Sequence, residues 1–471
     1  MKACKINDNR ICFFDKSLVD FEKTTAPLIW HKPNAKDCVF IFDKKWEEKV
    51  SYPHVFKDGD IYKMYYMATC RHGIEVDLDK WMFTCMLTSK DGINWERPII
   101  GLHEFEGSKE NNIVYPYPME FSVFKDTNPN AKPTERYKAL NHLPGIRELY
   151  YLYSEDGINF SEKIKISDKE NFDTLSTAFY DEEKGKYVAY VRGLHYTDYI
   201  VDGEKKTRRF RDVKYMTSDD FINWSDPVPL NFLDDYEEYE MYTNCIFTYY
   251  NAPQYKIAFP TRYYDNREWS PTFENLTGKA DRLERAITLP RAAIALTDTI
   301  FMCSTDDINW QRSPSAFLTP GLEQDKNWVY GDCFPSRGSL METTNELFGT
   351  KEMSFYDVSK LKSAPVLIRY TMRVDGFASY FSQEKKKVLT TKPFVFKGEN
   401  LRLNVATSAR GGVYVFLKTE DKTLESYEVL GDSIDKLVSF KNGTVKELEG
   451  KEVVMSIEFV DAEVYSFKFG E

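Results

Sequence analysis

No CxxC pair, HxH or HExxH occurs in the sequence, which removes the common zinc and iron spacings. Histidine is scarce, at six residues, and no obligatory metal or cofactor follows from the chain. The eight cysteines show no disulfide framework; Cys70, Cys85, Cys245 and Cys303 stand in apolar, strand-like text and read as buried free thiols. A basic face is also missing. The net charge is −11, which argues against nucleic acid as the main partner, because a phosphate binder needs clustered cations. No run of about 18 apolar residues exists and the N-terminus holds no apolar signal core, so the expectation is a cytoplasmic protein with no membrane partner. The sequence is silent on oligomeric state.

Aromatic residues are abundant, at 15% of 471 residues, which suits β-sheet and sugar-facing surfaces, although aromatic-rich β cores use the same residues. A motif organises them. Ser89-Lys90-Asp91-Gly92-Ile93-Asn94-Trp95 recurs as Ser154-Glu155-Asp156-Gly157-Ile158-Asn159-Phe160, as Ser218-Asp219-Asp220-Phe221-Ile222-Asn223-Trp224 and as Ser304-Thr305-Asp306-Asp307-Ile308-Asn309-Trp310. Arg373-Val374-Asp375-Gly376-Phe377 is a degenerate fifth copy. Self-similarity at a long period marks a repeat architecture. Ser and Asp can bond their own turn backbone and Gly admits φ > 0, so each copy is expected to be a tight turn between the outer strands of one blade. The four clear copies start 65, 64 and 86 residues apart, and the longest interval holds an insertion, residues 263–291, with Asp281, Glu284 and Arg285 at helical spacing.

Upstream of each turn lie two apolar segments joined by a polar hairpin, such as Tyr52-Pro53-His54-Val55-Phe56 and Ile61-Tyr62-Lys63-Met64-Tyr65-Tyr66. Five such units predict an all-β chain with a five-bladed β-propeller over residues 1–385, four blades being the alternative. Residues 1–45 lack the repeat and are expected to pack at the propeller edge or to close it. Short alternating segments over residues 386–471 predict a C-terminal β-sandwich.

Trp46-Glu47, Gly107-Ser108-Lys109-Glu110-Asn111-Asn112-Ile113-Val114, Phe172-Asp173-Thr174, Tyr242-Thr243-Asn244 and Asn327-Trp328-Val329 carry a resemblance over nearly the whole chain. It resembles the glycoside hydrolase family 32 and family 43 superfamily of furanosidase-type propellers, and more closely an uncharacterised family-32-like branch. That implies hydrolysis of a glycosidic bond, in a furanoside or a short oligosaccharide. The repeated turn is also similar to the Asp-box of sialidases, which implies that Asp91, Asp156, Asp220 and Asp306 are structural. The hairpin acids Asp58, Asp126 and Asp181 read as turn residues by the same logic.

Glycoside hydrolysis generally needs two carboxyl groups flanking the scissile bond. In a propeller they must come from the starts of the innermost strands. The acids there are Glu47 and Glu48, Glu120, Asp173, then Glu237, Glu238 and Glu240, and finally Asp332. The superfamily places a base or nucleophile Asp in the first blade, an auxiliary Asp in the middle and an acid Glu in a later blade. The resemblance thus implies Glu240 as acid, Asp173 as auxiliary or base, and Glu47 as the first-blade carboxylate. The register departs from the family: Tyr52 stands where the first-blade Asp is expected, and Leu175 holds the third-blade position. Tyr52 is a further candidate, since a tyrosine nucleophile is a known exception to the two-carboxylate rule.

Trp46, Arg192, Arg262 and Trp328 lie near strand ends where a sugar could be stacked or clamped, with Glu120 and Asp332 completing the binding set. Each has an ordinary alternative as a packed aromatic, an ion pair or a rim acid. Lys205-Lys206-Thr207-Arg208-Arg209-Phe210-Arg211 reads as a solvated loop or as a contact for an acidic sugar or a neighbouring subunit. A non-catalytic carbohydrate-binding propeller and a protein-contact scaffold are the rival readings. Paired carboxyls in an axial pocket would distinguish hydrolysis from both.

Overall fold

The computed structural model describes residues 3–70, 82–116, 119–142, 147–174, 176–201, 203–338, 340–361 and 364–471. Leu175, the expected third-blade register position, lies outside them, as does Ser339 of the fifth unit. The chain is nearly all β. Among the described residues α-helix is confined to Pro271–Asn275 and Lys279–Thr288, both in the expected insertion.

Antiparallel sheets follow one another along the sequence. The first contains Lys49–Asp58, Ile61–Thr69, Met82–Ser89 and Trp95–Glu96; the second Met119–Lys125, Tyr137–His142, Leu149–Ser154 and Ile164–Ser167. The third contains Thr177–Asp181, Lys186–Val201, Glu204–Ser218 and Val228–Pro229; the fourth Ile246–Thr248, Lys256–Ala258, Met302–Ser304 and Asn309–Arg312. The fifth contains Met341–Thr344, Lys351–Leu361 and Ala364–Met372, and takes its outer strand, Asn34–Ile41, from the N-terminus. The leading strands lie side by side in a closed circuit, completed where Arg337–Gly338 pairs in parallel with His54 and Val55 of the first sheet. A Cβ on Gly338 (φ 98°) would collide with the Val55 carbonyl oxygen, so this closure requires glycine.

The apolar runs explain the packing. Successive side chains on a strand point to opposite faces, so a strand covered on both sides reads as continuously apolar. In Ile61–Thr69, Met64, Tyr66 and Ala68 join the cluster shared with the fifth sheet, while Tyr65 joins the cluster shared with the second. In Lys186–Val201, Tyr187, Ala189 and Val191 face the second sheet, while Val188 and Tyr190 face the fourth.

The repeated turns have the expected local bonds. Asp91 Oδ1 accepts from the backbone N–H groups of Ile93 (2.8 Å) and Asn94 (2.7 Å), and Ser89 Oγ accepts from Gly92 (2.9 Å). The other three copies repeat this pattern. Each turn also plugs into the preceding sheet. Gly92 O accepts from Tyr356 (2.5 Å) of the fifth sheet, and Gly157 O from Tyr65 (2.8 Å) of the first. At the glycine position of the third copy Phe221 (φ 67°) inserts against Phe124 and Tyr151; in the fourth, Asp307 (φ 73°) accepts from Tyr190 (2.6 Å). The hairpin acids reach the other way. Asp58 pairs with Lys125 (2.7 Å), Asp126 accepts from Tyr187 (2.7 Å) and Asp181 pairs with Lys256 (3.2 Å), each on the following sheet. Asp91→Ala is expected to cost about 1–2 kcal/mol, as loss of a helix cap does, read from urea unfolding.

The C-terminal unit is built on two long strands, Asn400–Lys418 and Val454–Gly470, paired along most of their length and broken by bulges near Val405 and Gly412. The first thirty residues, expected at the edge of the repeats, pair here instead. Cys4–Asn7 lies parallel to Phe394–Phe396, Ile11–Cys12 pairs with Val454–Gly470, and Leu28–Trp30 pairs with Ala378–Ser382. Phe13, Leu18, Val19 and Ala26 join this unit's core because they fill it against Phe394, Phe467 and their neighbours. Cys70, Cys85, Cys245 and Cys303 are buried and unbridged.

Candidate functional site

The leading strands enter the ring through strained backbone. Tyr52 (φ 53°), Glu120 (φ 49°) and Cys245 (φ 45°) all occupy the left-handed region, and pairing slips between Ser51 and His54 and between Met119 and Ser122. A bulge of this kind re-aims a side chain at the cost of local strain.

Around these starts a polar cluster assembles. Arg192, 4% exposed, donates to Thr174 Oγ1 (2.7 Å) and pairs with Asp173 (3.2 Å). Thr174 in turn donates to the Tyr242 carbonyl (2.5 Å). The Arg192 guanidinium lies 5.5 Å from the centre of the Tyr242 ring, and that of Arg211 lies 5.4 Å from it. Arg211 is ion-paired with Glu240. Asp173 and Glu240 are therefore each held by an arginine, and the two arginines share one tyrosine ring. Tyr330 donates to the Tyr242 hydroxyl (2.5 Å). The buried Tyr52 hydroxyl is pushed well above its ordinary pKa by burial and then by Glu120, Tyr242, Tyr330 and Asp173, so these groups share one electrostatic neighbourhood. His142 belongs to it too: burial brings its imidazole down to about 4, with Asp173 opposing and Arg192 assisting.

Asp332 lines a small cavity of about 110 Å³ with Tyr52, Tyr330 and Phe334. It stands near Asp357, a buried carboxyl that accepts from the Phe334 N–H (3.1 Å). Burial, then Asp332, pushes Asp357 up to about 7. The folded protein thus holds a proton that the unfolded chain releases near pH 4, so this carboxyl makes stability fall as pH rises from about 4 to about 7. Three pKa units correspond to about 4 kcal/mol. Asp357→Asn is expected to flatten that part of the stability profile and to be more stable than wild type at pH 8. Superimposable wild-type and variant profiles in urea would refute this.

Arg262 and Trp328 line a separate cleft of about 490 Å³ with Tyr239, Tyr263, Tyr264 and Asp298. Arg262 is bidentate to Asp298 (2.7 and 2.6 Å). The cleft and the cluster share a wall, because the Tyr263 ring lies 4.6 Å from the Arg211 guanidinium and stacks on Tyr242 at 5.9 Å.

Glu47 and Trp46 stand elsewhere. Glu47 is fully buried between the fifth and first sheets, where it accepts from Tyr66 (2.5 Å) and pairs with Arg97 (2.8 Å). Trp46 donates to Asn112 (3.1 Å) and packs on Phe105. Neither contacts Asp173, Arg192 or Glu240 among the described residues. The basic run is not a loop: it lies within the strand Glu204–Ser218, exposed at Lys205, Lys206 and Arg209 and buried from Phe210 and Arg211 onward. Tyr242, Tyr330 and His142 carry no sequence signal of a site beyond the presence of Tyr242 in one of the segments that carry the family resemblance, and Arg211 is marked only as the end of the basic run.

No family model and no curated protein matches the chain. Solved structures are similar at low identity. An N-acetylgalactosamine deacetylase from F. plautii, in complex with blood group B trisaccharide, matches at TM-score 0.44 and 14% identity, over 74% of this chain and 94% of that one. A family 32 β-fructofuranosidase from Bombyx mori matches at TM-score 0.39 and 9% identity, over 89% and 91%. Likenesses of this strength assign neither fold nor activity.

Proposed function

We propose that the five sheets are the blades of a β-propeller, that residues from about 386 onward form a β-sandwich with the N-terminal segment, and that the protein is a glycoside hydrolase. The closed circuit of leading strands and the apolar cluster between each pair of neighbouring sheets support the architecture. The activity rests on one observation: Asp173 and Glu240 held by Arg192 and Arg211 about the Tyr242 ring, at the end of the ring where the leading strands begin. Two carboxyl groups about a sugar are what hydrolysis requires, and an aromatic face with fixed guanidinium donors is what orients a pyranose or furanose ring.

In this reading Asp173, whose side chain is 43% exposed, meets substrate first and serves as base or nucleophile. Glu240 serves as acid once it has parted from Arg211 and taken up a proton from solvent, which it then passes to the leaving-group oxygen. The Trp328 and Arg262 cleft takes further sugar units of an oligosaccharide. A second reading, non-catalytic sugar binding, is favoured by the closeness of the Glu240–Arg211 pair, since a guanidinium partner suits an ionised carboxylate that only accepts hydrogen bonds. A panel of aryl glycosides and oligosaccharides, incubated with wild type, Asp173→Asn and Glu240→Gln, separates the two. Cleavage that both variants lose supports hydrolysis, and saturable binding without cleavage supports the second reading.

A further inference from the structure

At the other end of the ring, where the leading strands finish, a cavity of about 490 Å³ opens on the axis. Its walls include Phe56, Phe124, Phe179 and Phe247, one from the leading strand of each of the first four sheets. The fifth contributes the bare backbone of Gly338. Arg337 also lines the cavity, at the level where Arg337–Gly338 pairs with the first sheet.

Arg337 is 4% exposed, and its donors reach across the axis to the Ser176 carbonyl (2.5 Å) and to Ser122 Oγ. Both acceptors are neutral. Among the described residues no carboxylate lies within ion-pair distance of this guanidinium. The other charges differ in this respect: Lys125 is paired with Asp58 (2.7 Å) and Lys256 with Asp181 (3.2 Å), while Lys57, Glu182 and Glu183 are exposed at the mouth. Burying an unpaired cation is costly, and an anion with matching geometry relieves that cost. Burial draws the Arg337 guanidinium down to about 9, with Cys245 and the more distant Glu120 opposing.

We propose that this axial cavity binds an amphipathic carboxylate, with its carboxylate bidentate on Arg337 and its apolar body between the phenylalanines. The volume lies in the range of small-ligand pockets. Inorganic phosphate has no apolar body to set against the four phenylalanines, and so would forgo most of this wall. This site is separate from the Asp173 cluster and does not depend on the glycosidase reading.

The test is calorimetric titration of the full chain with 4-phenylbutyrate, its neutral amide, and acetate. Phenylbutyrate is expected to bind with one-to-one stoichiometry and at least about tenfold more tightly than either control. Arg337→Gln is expected to abolish the preference for the acid over the amide. Because that variant removes a buried cross-axis group, Thr248→Trp, which fills the cavity from its wall and leaves Arg337 in place, is measured beside it and is expected to abolish binding. Equal affinity for acid and amide overturns the proposal, as does binding that survives Thr248→Trp or no binding at millimolar phenylbutyrate.

Discussion

Asp173→Asn is expected to lower kcat/KM on the cleaved glycoside by about 10²–10⁴-fold, the range for loss of a positioned acid or base, while leaving the fold intact. The two halves of this expectation have separate causes. The amide is isosteric and still accepts from Arg192, and an ion pair with a partly exposed carboxylate contributes at most about 1 kcal/mol. What the amide cannot do is take a proton or attack carbon. Glu240→Gln is expected to lose activity on the same scale, but it is the less clean variant. Glu240 is 5% exposed and is the ion partner of the buried Arg211, so its neutralisation strands a cation inside the cluster. Its unfolding midpoint should fall where that of Asp173→Asn does not. A fall in activity in step with the midpoint would mark a structural role. If Asp173→Asn keeps full kcat/KM at an unchanged midpoint, chemistry lies elsewhere and the cluster only binds sugar.

The strands were legible because burial on both faces leaves a mark in composition. Met64-Tyr65-Tyr66 and Val188-Ala189-Tyr190 read as strands between turn signals, and their unbroken apolar character matches strands packed between two sheets. The repeated turns were legible because Ser and Asp bond within a few residues of themselves. What such local bonds do not reveal is the partner beyond the turn. Nothing near Asp58 announces Lys125 on the next sheet, and nothing near Gly92 announces Tyr356, 264 positions away. Of residues 1–45, Asn34–Ile41 does lie at the edge of the fifth sheet, but the first thirty residues were misplaced for the same reason: their strands are two to four residues long and their partners lie beyond residue 377. At the site, Asp173 and Arg192 were visible as polar residues at strand ends. Tyr242 and Tyr330 were not separable from 31 tyrosines, most of which a β core would use anyway. Glu47 looked like a site acid because its consuming partner, Arg97, lies fifty residues on.

Asp375→Ala is expected to cost about 3–5 kcal/mol, the penalty for removing one partner of a buried ion pair, and to loosen the C-terminal unit from the ring. In sequence Asp375 sits in the degenerate fifth copy of the turn, but its carboxylate does not bond back to its own turn. Fully buried, it accepts from Tyr249 (2.6 Å) and Asn251 (2.8 Å) of the fourth repeat unit, from Ser466 (2.6 Å) of the C-terminal unit, and from Arg10 (3.3 Å) of the N-terminal segment. One side chain thus joins three parts of the chain that are distant in sequence. Alanine would leave Tyr249, Asn251 and Ser466 without this acceptor and reduce Arg10 to its more exposed ion pair with Asp435 (3.3 Å). The residue's φ of 58° adds to the loss, because aspartate tolerates the left-handed region better than alanine. Asp375→Asn keeps the shape and one acceptor oxygen, so its loss should be intermediate, which separates the charge from the packing. With two units present unfolding need not be two-state, so the informative readout is whether urea unfolding splits. A second, earlier transition with exposure of the 378–471 strands to protease is the expected result for the alanine variant. A single transition within about 1 kcal/mol of wild type would show that the interface is held by its apolar contacts, such as Phe14 against Phe377, and that Asp375 is a bystander in it.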